Sequence, residues 1–186
     1  MSGKPRIAPG TRGQVGRLNS LILAALARGA GTGRPPNVFT TLARHRRLFR
    51  GWLLFAGSLM PGGRLPRADT ELVILRVAHN SGCQYEWEHH ERIGGQAGLS
   101  REQIERVRQG PDADGWSQRQ ALLLHAADEL HHLRVLTDQL WDRLAAQLSE
   151  PELIELVMLI GHYEMLAMAL ASLGVQSDGL APAGDD

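Results

Sequence analysis

Residues Glu71 to His90, ELVILRVAHNSGCQYEWEHH, constrain the fold more than any other part of the chain. The run from Leu72 to Ala78 is apolar nearly all round at helical spacing, which suits a helix buried at the centre of a core. Ser81-Gly82 then supplies a stop, because glycine takes the left-handed conformation that ends helices. From Cys83 a second helix returns alongside the first. On that helix Cys83, Glu86 at i+3 and His90 at i+7 share one face.

The flanking segments read the same way. A first helix is expected over Val15 to Arg28, with Leu18, Leu21, Ile22, Ala25 and Leu26 on one face. The run GAGTGRPP breaks it, and Asn37 can cap a long helix reaching about Met60. After the loop PGGRLP, Asp69 or Thr70 can cap the central helix, whose first turn holds Glu71. Gly98-Leu99 ends the helix that begins at Cys83. Capping boxes at Ser100/Gln103, Ser117/Gln120 and Ser149/Glu152 open three more helices, the last with Pro151 in its first turn. Thr137 can cap another over Asp138 to Leu148. No period-2 run longer than a few residues occurs. The expected fold class is all-α, a compact multi-helix fold of about seven or eight helices. One helical domain spans 15–175, between a flexible arm over 1–14 and a disordered tail over 176–186.

Composition narrows the partners. The chain has 186 residues, 43% of them hydrophobic, with 20 basic and 20 acidic side chains. Without a basic surplus, neither nucleic acid nor an anionic membrane is expected as the main partner. A single cysteine excludes an internal disulfide and a cysteine-based zinc site. The opening MSGKPRIAPG lacks the apolar stretch of a secretory signal. The most apolar run, Leu153 to Leu173, carries Glu155, His162 and Glu164, which a membrane span seldom tolerates. A soluble, cytoplasmic protein acting on a small molecule is expected.

Three chemistries fit the central stretch. Glu86 and His90, one helical turn apart, can act as an acid/base pair, with Glu71 from the preceding helix as a third corner. Burial there would raise a carboxylate's pKa toward the range useful for proton transfer. Cys83 opens a helix, where the dipole favours a thiolate, but no resolving thiol exists for a dithiol cycle. Two Glu-x-x-His pairs, Glu86/His89 and Glu129/His132, match the spacing of carboxylate metal sites. Such pairs arise readily in a helical chain with eight histidines, and local salt bridges explain His125 to His132 equally well. No metal and no cofactor is expected. Tyr85 and His79 are candidates for contact with substrate. The cluster Arg44, His45, Arg46, Arg47 and Arg50 reads as a solvated or intersubunit face, or as a source of one arginine for an anionic substrate.

The spacing Glu71, Cys83, Glu86, His90 resembles the carboxymuconolactone decarboxylase / alkylhydroperoxidase D-like superfamily. The run RLPRADTELVILRVAHNSGCQYEWEHH is similar to its Tyr-Glu-Trp-x-x-His subgroup. The likeness extends over Phe49 to Gly174, including ADEL at Ala127 to Leu130 and GHYEMLAMAL at Gly161 to Leu170. The resemblance implies an all-helical fold assembled as homotrimers or homohexamers, with sites near subunit interfaces. In the peroxidase branch a glutamate and a histidine activate a Cys-x-x-Cys pair. Glu71, Cys83 and His90 match that pattern, but Glu86 stands at the second cysteine. In the decarboxylase branch a carboxylate takes that place and the histidine is kept. That branch acts without metal or organic cofactor on 4-carboxymuconolactone. Cys83 departs from its pattern, so the substrate does not transfer. The resemblance thus implies a lyase using Glu86, His90 and Glu71. The alternatives are a peroxidase using Cys83 with an external thiol, and an oligomeric ligand-binding protein without catalysis.

Overall fold

The computed structural model describes residues 4–29 and 33–179. Among them are ten helices and no strand: α1 Arg12–Val15, α2 Arg17–Gly29, α3 Asn37–Leu42, α4 Arg46–Leu59, α5 Arg67–Asn80, α6 Gln84–Gln96, α7 Arg101–Val107, α8 Gln118–Leu133, α9 Asp138–Ala145 and α10 Glu150–Leu173. The all-α reading holds. The count is higher than expected because two expected helices are each divided.

The first division falls at Gly16, whose φ of +82° favours glycine. A side chain there would also meet the Arg46 guanidinium at 2.9 Å. The second separates α3 from α4. There the buried Asn19 amide donates to the Ala43 and Arg46 carbonyls at 3.3 and 3.4 Å, and His45 caps α4. A side chain from another helix thus takes carbonyls at the break that a continuous ladder would use.

α5 is the hub. It packs against α6, α7, α8 and α10, and every residue from Thr70 to Leu75, with Val77 and Ala78, is buried. The large apolar cluster joins α5 to α8, α9 and α10. A second, around Leu72, Trp87, Ile104 and Leu124, seats α6 and α7. Arg76 crosses from α5 to α8 with two hydrogen bonds to Asp128, at 2.6 and 2.8 Å. α5 begins three to four residues earlier than Asp69 or Thr70 as its cap would set it, with Pro66 at its N-cap. Proline suits a helix start, since it lacks the N–H that the first turn leaves unpaired. Asp69 pairs instead with Arg119 at 2.7 Å. Gly82, with φ +62°, closes α5 as expected, and Cys83 is the N-cap of α6. α10 is long and apolar enough to cross a membrane, but 61% of that stretch is buried within the fold.

Both ends of the described chain differ from the loose segments expected. Arg6 and Ile7 donate backbone hydrogen bonds to the Leu173 carbonyl, and Gly10 to the Thr40 carbonyl. At the other end Asp178 is buried, accepting from the Tyr85 hydroxyl at 2.5 Å, His89 at 3.0 Å and the Asn37 amide at 3.0 Å. Residues 180–186, the rest of the expected tail, lie outside the described residues.

Candidate active site

The α5–α6 hairpin sets Glu71 against His90. His90 Nδ1 lies 2.6 Å from Glu71 Oε2. The other carboxylate oxygen, Oε1, lies 2.8 Å from Nη2 of Arg67, one turn earlier on α5. Held by a guanidinium, the carboxylate accepts, so Nδ1 donates and Nε2 is left as the basic nitrogen. Tyr163 from α10 stands edge-on to the His90 ring at 5.1 Å. Its phenol is pushed well above the usual range, by burial and then by the charges of Glu71 and Glu86. It therefore stays protonated.

Glu86 is 2% exposed, and neither carboxyl oxygen has a hydrogen-bond partner. Burial raises its pKa to about 8; the Cys83 thiol offsets part of the rise, and nearby Glu164 adds to it. The group is thus a neutral acid near pH 7. Glu164 itself is turned to His131, 2.6 Å away.

Glu86 and His90 border a cavity of about 490 Å³ enclosed by α3, α4, α6 and α10, with Arg67 at the start of α5. Its wall is mostly apolar, with Val38, Phe39, Leu53 and Leu166 among the lining residues, and Arg67 and Arg92 also border it. Arg67 Nη1 and Arg92 Nε are buried donors without partners. On the α10 side His162 stacks on Trp52 at 6.0 Å and meets Phe55 edge-on at 5.3 Å.

Of the residues singled out from sequence, Glu71, Glu86 and His90 come together, with Tyr85 bordering the same cavity. Tyr85 is committed elsewhere: its hydroxyl donates to Asp178 and accepts from the Val38 amide at 3.1 Å. Cys83 and His79 border a separate cavity of about 100 Å³, with Trp87 and Arg108. The Cys83 thiol is pushed up to about 12, chiefly by burial and then by the Glu86 charge. Desolvation here exceeds the helix-terminus effect that the sequence suggested. His79 is held below its usual pKa, first by burial and then by Arg76 and Arg108.

The two Glu-x-x-His pairs do not converge. Glu129 accepts from the Thr137 amide and hydroxyl at 2.8 and 3.0 Å, and His132 bonds the Asp128 carbonyl. His89 turns to Asp178. The basic cluster is structural: Arg44 binds the Ala8 carbonyl, Arg46 the Gly13 and Gln14 carbonyls, and Arg50 the Asn19 side chain. Arg67, Arg92, Trp52, His162 and Tyr163 belong to the cavity and were not foreseen. Only Arg67, four residues before Glu71, carried a readable signal, the i,i+4 ion pair.

Residues 46–129 match the carboxymuconolactone decarboxylase family. Over that segment the chain resembles the carboxymuconolactone decarboxylase / alkylhydroperoxidase D-like superfamily. The match holds the site residues on α4, α5 and α6, while Tyr163 and His162 lie beyond it. That resemblance supports an enzyme-like role toward small molecules.

Solved structures share the superfamily fold at low identity. An uncharacterized peroxidase-related protein from Silicibacter sp. TM1040 is 14% identical with a TM-score of 0.83, over 100% of this chain and 99% of that one. The alkylhydroperoxidase AhpD core of an uncharacterized peroxidase-related protein from Ralstonia eutropha JMP134 is 16% identical, TM-score 0.83, over 96% and 95%. The debrominase Bmp8 is 17% identical, TM-score 0.78, over 93% and 92%. No curated protein sequence matches the chain.

Proposed function

We propose that the protein is a cofactor-independent acid/base enzyme that decarboxylates, or shifts a proton on, a small carboxylated or lactone-like substrate. The observation that carries this reading is Glu86, a neutral, unpartnered carboxyl one helical turn from an imidazole fixed in one tautomer. Two titratable groups whose surroundings separate their roles make an acid/base pair.

In a proton shift, His90 Nε2 takes a proton from the carbon beside the lactone carbonyl. The C–H electron pair moves toward the carbonyl oxygen, which takes the Glu86 proton. In a β,γ-unsaturated lactone this intermediate is a dienol, which then collapses: the imidazolium returns its proton to the γ-carbon, the double bond moves into conjugation with the carbonyl, and the enol proton goes back to Glu86. In a decarboxylation, the bond from carbon to carboxylate breaks and carbon dioxide leaves. The bonding pair enters the lactone as a dienolate, carbon takes the Glu86 proton, and solvent restores it. Arg67 and Arg92 offer donors for a carboxylate that the substrate keeps. Pairing the departing carboxylate with a guanidinium would stabilise the ground state and slow the loss of carbon dioxide. The departing group therefore belongs against the apolar wall.

The test is proton exchange. Enolisable γ-lactone carboxylic acids are incubated with the protein in D₂O, with deuterium uptake followed by NMR and released carbon dioxide assayed. Glu86→Gln and His90→Ala are each expected to slow turnover by about 10²–10⁴-fold. Wild-type rates in both variants would show the site to be misassigned, and binding without turnover would make the protein a ligand carrier. Cys83→Ser is expected to leave proton exchange within a few-fold of the wild type, since the thiol, pushed up to about 12, stays protonated and touches the chemistry only through Glu86. A peroxide-consuming rate that vanishes in Cys83→Ser would replace this reading with the thiol one.

A further inference from the structure

The cavity has a second polar place that the acid/base chemistry does not use. Trp52 on α4 and His162 on α10 both border it, stacked on each other at 6.0 Å. The indole N–H of Trp52 and Nδ1 of His162 are buried, and neither has a hydrogen-bond partner. His162 is 4% exposed. Leaving a buried polar atom unpaired is costly, and here two such atoms sit on adjoining rings facing one cavity.

Their place relative to the chemistry follows from ring contacts. His90 meets Tyr163 at 5.1 Å, Tyr163 meets His162 at 5.2 Å, and His162 meets Trp52 at 6.0 Å. Tyr163 thus links the pair to His90 through ring contacts, and neither Trp52 nor His162 is among the hydrogen-bond or ion-pair partners of the Glu71–Arg67 corner. Its chemistry also differs from that corner. An indole N–H only donates. Burial lowers His162 to about 4, so its ring is neutral at physiological pH and offers no cation. With Trp52, Phe55 and Phe39 around it, the subsite is a poor place for a second carboxylate. It suits a neutral oxygen that accepts from indole and exchanges a hydrogen bond with imidazole.

We propose that Trp52 and His162 form a distal subsite for a hydroxyl or carbonyl oxygen, so that the substrate is an apolar, ring-sized acid with its carboxylate toward Arg67 and Arg92 and a neutral oxygen at the opposite end. This rests on the acid/base reading for which end reacts. Recognition of the distal oxygen is read separately, by binding.

The experiment uses matched ligands differing only in that oxygen: cinnamate against 4-hydroxycinnamate, and benzoate against 4-hydroxybenzoate. Affinities are measured by calorimetry on the full-length wild type, Trp52→Phe and His162→Leu. Trp52→Phe keeps an aromatic ring and removes the N–H together with the rest of the pyrrole ring. In the wild type the hydroxylated member of at least one pair is expected to bind about tenfold tighter or more. In each variant that advantage is expected to fall to about threefold or less. Equal affinities within both pairs, an advantage that survives both substitutions, or no binding by any of the four acids would overturn the proposal. A distal-oxygen preference without proton exchange would sink the acid/base reading and leave the subsite standing. Exchange without the preference would do the reverse.

Discussion

Between pH 4.5, the ordinary value for a glutamate, and about 8, its value in the fold, Glu86 holds a proton that the unfolded chain releases. Where the folded state binds more protons, stability falls as pH rises. Glu86 therefore costs nothing at low pH, costs progressively more as pH climbs through that window, and costs its full amount above it. Glutamine matches the shape of the neutral acid and cannot ionise. Glu86→Gln is thus expected to melt like the wild type near pH 4 and to be the more stable protein by pH 9, by an amount on the order of a few kcal/mol. Thermal melts of both proteins across this range check it, and parallel pH curves would contradict it. The same proton ties stability to chemistry: the step that needs Glu86 as an acid should weaken as pH rises through about 8. A group that makes the fold less stable at neutral pH and remains there is what a working acid looks like.

At the scale of elements, the position of α5 depends on the loop before it. Glu155 on α10 accepts from the Arg64 amide at 2.6 Å and the Leu65 amide at 3.0 Å. Those bonds fix the loop from which Arg67 enters the site. Gly63 makes the approach possible: a Cβ there would lie 2.5 Å from the Leu59 carbonyl oxygen and closer still to a Glu155 oxygen. Glu155→Ala is expected to destabilise the protein by about 1–3 kcal/mol, since it strands the buried Leu65 amide and the part-buried Arg64 amide, which share one charged acceptor. Gly63→Ala should act at the same place, and chemical denaturation of both variants measures it. None of this clamp was legible in the sequence, where Glu155 served only to argue against a membrane span.

The contrast with α5 and α6 shows what local signals carry. Apolar periodicity, Gly82 and three capping boxes describe relations within a few residues, and they placed most helix boundaries. They also placed Glu86 and His90 on one face and Glu71 opposite. Which distant faces meet is set by packing, so Tyr163, His162 and Trp52 from α10 and α4 went unseen. Asp178 went unseen for another reason. Its run is polar and reads as tail, yet hydrogen bonds from His89, Tyr85 and the Asn37 amide outweigh its burial and hold its pKa below the usual range.

On the scale of the whole molecule, the outer face of α10 carries Ile154, Met158, Gly161, Met165 and Met168 in steps of four, three, four and three residues. The four side chains are 66, 46, 46 and 59% exposed, and the space around Gly161 is open. A surface helix of a solitary chain would place charges there. A heptad stripe broken by one glycine instead suits close approach of another helix with the same stripe. We propose that this face is covered by a second copy of the chain, in keeping with the homotrimer or homohexamer that the resemblance implies. Light scattering on the wild type at micromolar concentration is expected to give a multiple of the chain mass. The double variant Met158→Glu, Met165→Glu would place two carboxylates in each seam and is expected to give smaller particles with helicity unchanged. Because Tyr163 projects from the opposite face of the same helix and His162 from its flank, looser packing of α10 should also reach the cavity. Ligand affinity of the double variant should then fall together with its mass. A wild-type monomer, or a double variant still assembled, would show that the stripe serves another purpose.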